Sequence, residues 1–236
     1  MIDQLVTVTP PPRRAVPGFE RWVARSTRAG DAVLNIGGGC DRSGAFPRVR
    51  RKAGRLVVVD PSPVVGQHTD ADERHQLSLE EYAVDHEGEF DVAFAVFVLE
   101  HVTDPAAFVA SAAHVLRPGG TFLAITVNQW HFFGFTGWVA TRMHLAGPLL
   151  RLVRDEKAIS AYHCPTTCRL NTVRCATRHL AAAGFTSVEF RMWDLPAMYE
   201  PYLPGGLSRV AGGWHAMAYR TGNPQLMGHL TFRAVR

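Results

Sequence analysis

At 236 residues, with 47% apolar and 19% charged residues, the chain can bury the core of one large domain, which excludes a disordered or low-complexity protein. The formal charge of +4 is carried almost entirely by arginine, lysine standing only at Lys52 and Lys157. The arginines are scattered without a dense basic stripe, so a nucleic-acid partner is not expected.

No apolar stretch with a small-residue cleavage site follows the N-terminus. The most apolar long window, "FFGFTGWVATRMHLAGPLLRLV", is interrupted by Arg142, His144, Pro148 and Arg151. No transmembrane segment is expected, although this window could rest on an interface. Four cysteines without a secretory pattern suit reduced thiols, hence a cytoplasmic setting.

The first 17 residues hold Pro10, Pro11, Pro12 and Pro17 and read as an extended arm. "GFERWVARSTRAG" follows as a helix, with Phe19, Trp22 and Val23 at helical spacing and Gly30 as its stop. Four runs rich in β-branched and aromatic residues come next: "AVLNI" at 32–36, "RLVVVD" at 55–60, "FDVAFAVFV" at 90–98 and "GTFLAITV" at 120–127. All are apolar on both faces, as strands of a covered parallel sheet must be. The intervening "DPAAFVASAAHVLRPGG" reads as a helix with Asp104 as N-cap, Pro105 at the first helical position and Pro-Gly-Gly as its stop.

After Asn128 the alternation breaks. Residues 129–168, rich in Trp, Phe, His and Gly, read as an inserted helical cap on the substrate side. "NTVRCATRHLAAAGF" is then expected as a helix capped by Asn171 and ended at Gly184, feeding the strand "TSVEFRMW". A Pro- and Gly-rich loop follows from Pro196 to Gly213, and "GHLTFRAV" closes the sheet. The expected organisation is one α/β domain over 1–236 with a doubly wound, mostly parallel sheet. It divides into an arm and helix (1–30), a cofactor-binding core (31–128), the cap (129–168) and the C-terminal part of the sheet (169–236).

Ligands of open α/β sheets lie beyond the carboxyl ends of the strands, where strand order reverses. Gly37, Gly38 and Gly39 fall at that edge, and Asp60 ends the next strand, placed to accept two ribose hydroxyls. Glycines followed by an acid are shared by dinucleotide enzymes and by users of S-adenosylmethionine. Arg42, where a dinucleotide fingerprint has its third glycine, separates the two.

In order and spacing, "VLNIGGG", "VVVDPS", "FDVAFAVFVLEHV" and "LRPGGTFLAIT" resemble the class I S-adenosylmethionine-dependent methyltransferases, of the type acting on small molecules. The resemblance covers about residues 20–128 and, more loosely, 169–193. It implies a seven-stranded Rossmann-like sheet and S-adenosyl-L-methionine as cofactor. Gly37, Gly38 and Gly39 would line its methionine and ribose portion, together with Asn35; Asp60, followed by Pro61, would take the ribose hydroxyls. Ser78 and Leu79 match the adenine contact, and Ala95 and Val96 would lie under the methionine arm near Glu100 and His101. The family usually has Asp at the position of Asn35 and Gly at that of Asp41. A cofactor-binding protein without catalysis on the same fold is the alternative reading that these two departures support.

The acceptor is expected to be a small, partly apolar metabolite offering an O, N or C nucleophile. "AVFVLEH" lacks the Asn/Asp-Pro-Pro-aromatic pattern of nucleic-acid amino-methyltransferases, and "HCPTT" reverses the Pro-Cys order of cytosine C5 enzymes. If a proton must be removed, His131, Tyr162 and His163 are the candidate bases, because they lie in or beside the cap. Trp130, His131 and Phe132 could equally pack the cap or touch substrate. No metal is expected: Cys164 and Cys168 open no zinc knuckle, and Cys175 fits the apolar face of its helix.

Overall fold

In the computed structural model, residues 2–39, 44–142, 167–200, 203 and 208–236 are described. In chain order the strands are β1 (Asp3–Val8), β2 (Ala32–Ile36), β3 (Arg55–Val59), β4 (Glu73–His75), β5 (Phe90–Val96), β6 (Leu116–Val127), β7 (Ser187–Trp193) and β8 (His229–Val235). They form one sheet in the order β1-β7-β8-β6-β5-β2-β3-β4. β8 runs antiparallel to both its neighbours and every other pairing is parallel. The chain leaves β2 toward β3 and β4, then returns to place β5 on β2's other side. The strand order therefore reverses between β2 and β5, the position beyond whose carboxyl edge ligands of open α/β sheets bind.

Alternation along each strand sends side chains to two core layers. Leu34, Ile36, Val57, Val59, Ala93, Ala95, Phe122 and Ala124 pack with α3 (Leu79–Ala83), α4 (Pro105–Val115) and α6 (Val173–Ala182). Val33, Val92, Phe94, Val96, Leu123 and Ile125 pack on the other face against α1 (Ala15–Ser26) and α2 (Pro47–Lys52). α5 (Phe132–Arg142) follows β6, and α7 (Ser208–Thr221) precedes β8. Helices cover both faces, so the doubly wound sheet holds as expected. No helix among the described residues is long and apolar enough to cross a membrane.

Four local expectations change. The sheet has eight strands rather than seven, because residues 3–8 of the arm pair in parallel with β7 from Asp3↔Ser187 to Val8↔Met192. That pairing satisfies a row of β7 backbone groups that would otherwise face solvent. The stop of α4 is not a free loop: Leu116 already pairs with Phe90, and the register jumps before Val92 pairs with Thr121, so Arg117–Gly120 bulges out. Thr172, not Asn171, caps α6 by accepting from the Cys175 N–H at 3.2 Å. Asn171 is buried and donates instead to Thr126 Oγ1 at 2.6 Å and to the Val127 carbonyl at 3.0 Å. The loop expected from Pro196 to Gly213 is helical from Ser208.

Phe122 lies at the centre of the larger layer, its ring 5.4 Å from Phe232 and 6.4 Å from both Phe108 and Phe185. Truncating it leaves a cavity among rings that cannot close up. Phe122→Ala is expected to destabilise the domain by about 3–5 kcal/mol, measured by urea unfolding; a loss under 1 kcal/mol would contradict this packing.

Candidate active site

The three glycines after β2 approach protein before they approach anything else. Gly37 has φ +67° and donates its N–H to the Val59 carbonyl at 2.8 Å, joining the exits of β2 and β3. A side chain there would run into Val98 Cγ2, beyond β5, and one at Gly38 would run into the Asn35 amide. A Cβ at Gly39 would sit 2.9 Å from the Asp60 Cβ. The turn is thus pressed against β5's exit, its own strand and the end of β3 at once. Only glycine allows all three approaches.

Asp60 closes this arrangement. It is 7% exposed, and its Oδ2 accepts from the Gly39 N–H at 3.0 Å while Oδ1 accepts from the Ser62 N–H at 2.8 Å. An ionised carboxylate has about four acceptor sites, so each oxygen retains capacity for one more donor. Pro61 follows it on the exposed rim.

The other positions implied by the resemblance fall around the same edge. The Ser78 hydroxyl is spent on a capping box with Glu81, accepting from the Glu81 N–H and donating to its carboxylate, and Leu79 is buried in the core. Ala95 and Val96 are buried in opposite core layers, so only their backbone can face a ligand there. Glu100 is also buried: its Oε2 accepts from Thr126 Oγ1 at 2.7 Å, and its carbonyl accepts from the Thr167 and Cys168 N–H groups. It braces β6 and the segment leading to α6. His101 ends a short 3₁₀ turn, Leu99–His101, and is partly exposed.

Two features had no sequence signal strong enough to select them. Phe97 takes φ +54°, a left-handed conformation costly for an aromatic residue, just where β5 ends. It turns the chain out of the sheet at the carboxyl edge while its N–H still bonds the Ile125 carbonyl at 2.9 Å. The second is a buried polar cluster at the same edge, over β6, β8 and β7. Asp194, fully buried just after β7, accepts on Oδ2 from the Tyr199 hydroxyl at 3.0 Å and lies 2.9 Å from His215 Nδ1. Its N–H donates to Tyr219 Oη. Its Oδ1 lies 3.4 Å from His131 Nε2. Asp60 stands out as an acid ending a strand in register with the glycine turn, and Asp194 likewise follows a strand, β7, though one that alternates polar and apolar residues.

His131 is 1% exposed, with Nδ1 accepting from the Phe133 N–H at 3.3 Å. The ring proton therefore belongs on Nε2, facing Asp194. The ring lies 4.5 Å from Phe132, 4.9 Å from Tyr199 and 5.5 Å from Trp214. Burial pulls the His131 pKa down to about 4, and that of His229, stacked on Trp193, to about 3. Burial pushes Asp194 upward, opposed by the His215 and Tyr199 hydrogen bonds. A base candidate in the sequence, His131 has both nitrogens directed at protein groups. Trp130 is exposed and Phe132 half-buried. Tyr162 and His163, as well as Cys40 and Asp41, lie outside the described residues. Among the described residues, no group of three or more His, Cys, Asp or Glu side chains could hold a metal ion.

Residues 34–124 match a family model described as a methyltransferase domain. Over that stretch the chain is similar to methyltransferase domains. Its curated relatives include ubiquinone biosynthesis O-methyltransferases of Aromatoleum aromaticum, 36% identical over 121 residues (46% of this chain, 49% of that one), and of Thiobacillus denitrificans, 34% identical over 119 residues (46% and 50%). The matches thus span about half the length of these relatives. Among solved structures, a putative methyltransferase of Haloferax volcanii, in complex with the activator Trm112, superposes with TM-score 0.57 at 18% identity, covering 95% of this chain and 99% of that one. A geranyl diphosphate C-methyltransferase of Streptomyces coelicolor superposes with TM-score 0.54 at 17% identity, covering 93% and 75%. At these identities the superpositions show the methyltransferase fold, and the family match falls on the stretch that carries the glycines and Asp60.

The buried imidazoles set an acid limit on the domain's stability. His131 and His229 are held neutral in the fold and gain protons readily on unfolding, so their contribution is complete above about pH 6.5 and lost as pH falls toward 4. Asp194, shifted up, acts in the opposite sense over its own titration. Urea unfolding between pH 7.5 and 4.5 is expected to show falling stability, with a shallower slope in His229→Gln; equal slopes would contradict it.

Proposed function

We propose that the chain transfers a methyl group from S-adenosyl-L-methionine to a small, partly apolar acceptor. The observation that carries this is the Gly39 N–H···Asp60 contact beside β5's exit. It fixes a buried carboxylate, with acceptor capacity remaining on both oxygens, at the reversal of strand order, where a ribose diol can bridge them. Asn35 and the backbone of Gly37–Gly39 then face the methionine and ribose portion, Ser78 and Leu79 flank the adenine side through their backbone, and the edges of Ala95 and Val96 form the floor. Glu100 and His101 brace that floor. When bound, the cofactor supplies a methyl group already activated by its sulfonium, so the protein's work is to align an acceptor and exclude water.

The acceptor side is the aromatic wall at the end of β6. Phe132 lies 5.1 Å from Trp214 and 5.5 Å from Tyr199, and Phe133 stacks on Tyr199 at 5.7 Å. Asp194 ties this wall to β7 through Tyr199 and His215. We assign His131 a positioning role in that wall rather than proton removal, since it is buried, neutral and oriented between Phe133 and Asp194. Tyr162 and His163 remain the candidate bases. The relatives are ubiquinone biosynthesis O-methyltransferases, which favours an oxygen nucleophile on an aromatic or quinone-like acceptor. The described cysteines, Cys168 and Cys175, are free thiols, which suits a reducing cytoplasm.

Asp60→Asn should weaken S-adenosylmethionine binding tenfold or more by calorimetric titration, the loss of one charge-assisted hydrogen bond being about 1.5–3 kcal/mol. Undiminished binding in a folded variant would sink the reading. Phe133→Ala should raise the KM for a catechol-type acceptor several-fold and leave cofactor affinity unchanged. A product screen with labelled methyl donor tests the activity itself, and should find no turnover if the fold is used only for binding.

A further inference from the structure

A second polar cavity lies away from the glycine turn, on the face of the sheet that α1 covers. Its volume is about 310 Å³, at the lower end of ligand-sized pockets. Arg21, Trp22 and Arg25 from α1, Arg191 and Trp193 from β7, and Thr231 from β8 contribute to its lining. The arm after β1 closes its far side through Thr9, Pro10 and Pro12.

The cavity is built from one helical stripe. Gly18, Arg21, Trp22 and Arg25 stand at i, i+3, i+4 and i+7, one face of α1. At Gly18 the missing side chain lets Pro12 press directly on the helix, and Arg21 Nη2 lies within 3.9 Å of where a Cβ would be. Opposite, the Arg191 guanidinium is laid over the Trp22 ring at 4.2 Å from its centroid. Its Nε donates to Glu189 Oε1 at 2.7 Å, which orients the fork and leaves the terminal nitrogens without a carboxylate. Arg21 and Arg25 have no ion-pair partner among the described residues. Three guanidinium groups thus face one small polar space against a single carboxylate. On a protein whose other arginines near acids are paired, at Arg48–Glu20, Arg50–Asp72, Arg55–Glu73 and Arg117–Asp91, this excess of cation is local and unmatched.

We propose that this cavity binds a phosphate-bearing ligand, a phosphate monoester or diphosphate, through Arg21, Arg25 and Arg191. Guanidinium forks match tetrahedral oxyanions bidentately. The site is separate from the glycine turn and Asp60, so its occupancy does not depend on methyl transfer.

The probe is pyrophosphate, titrated into the full chain and followed by phosphorus NMR and calorimetry. Binding is expected in the parent, weakened at least tenfold in Arg21→Gln/Arg25→Gln. Arg174→Gln/Arg178→Gln, which removes the same charge from α6, should bind like the parent. Vesicles of phosphatidic acid, a phosphate monoester, and of phosphatidylcholine identify the source. Pyrophosphate that competes with the anionic vesicles points to a lipid head group, and pyrophosphate bound while vesicles are ignored points to a soluble phosphate ester; either supports the cavity. No binding at millimolar pyrophosphate, or equal weakening in both double variants, overturns the proposal. Unchanged S-adenosylmethionine affinity in Arg21→Gln/Arg25→Gln keeps this test distinct from that of the methyltransferase reading.

Discussion

The hydrogen bond from the Gly39 N–H to the Asp60 carboxylate is the constraint on which the proposed site depends. It ties the ends of two neighbouring strands through a buried charge, and the approach is possible only because Gly37, Gly38 and Gly39 present no side chains to Val98, Asn35 and Asp60. The glycines are therefore needed first by the protein's own packing. A carboxylate held by two backbone N–H groups is also set in orientation before any ligand arrives, so little ordering is left for binding to accomplish. The same closeness fixes Asn35. Its amide is wedged beneath Gly38 as part of the turn, whatever its contribution to ligand charge.

Most of the sheet was legible because its determinants are local. Runs such as "AVLNI" and "RLVVV" are apolar on both faces and end at glycine or acid, and β2 and β3 occupy those spans. Asp104 caps α4 by accepting from the Ala106 and Ala107 N–H groups, as its place before Pro105 implies. What was not legible depends on partners distant in the chain. Nothing within "DQLVTV" indicates that it will pair with β7. Asn171 reads as a cap because Asn is a good one, but Thr126 and Val127 compete for its amide, and the adjacent Thr172 takes the capping role. The strained φ of Phe97 has no compositional trace at all, since aromatic residues seldom adopt it.

The proposed acceptor side divides in the same way. Aromatic content marked the segment after β6, but the carboxylate that organises it comes from β7 and reaches His131, Tyr199 and His215 from three different parts of the chain. Asp194, like Asp60, follows a strand, but one that alternates polar and apolar residues, and it lacked a neighbouring glycine turn to draw attention to it. Burial holds the His131 imidazole neutral and raises the Asp194 pKa, while the hydrogen bonds from His215 and Tyr199 oppose that rise and fix the carboxyl group's orientation. Such a group suits a wall that must stay shaped and dry.

The parallel pairing of β1 with β7 has a consequence for how the molecule is assembled. In chain order β1 precedes the other strands of the sheet, yet its ladder partner follows β2 to β6, and the Tyr219 hydroxyl that meets the Thr9 carbonyl comes later still. During synthesis the arm must wait as unpaired chain, and closing so large a loop makes it among the last pieces to dock. The edge it covers, and the arginine-lined cavity it borders, come into being only when β1 meets β7 and α7.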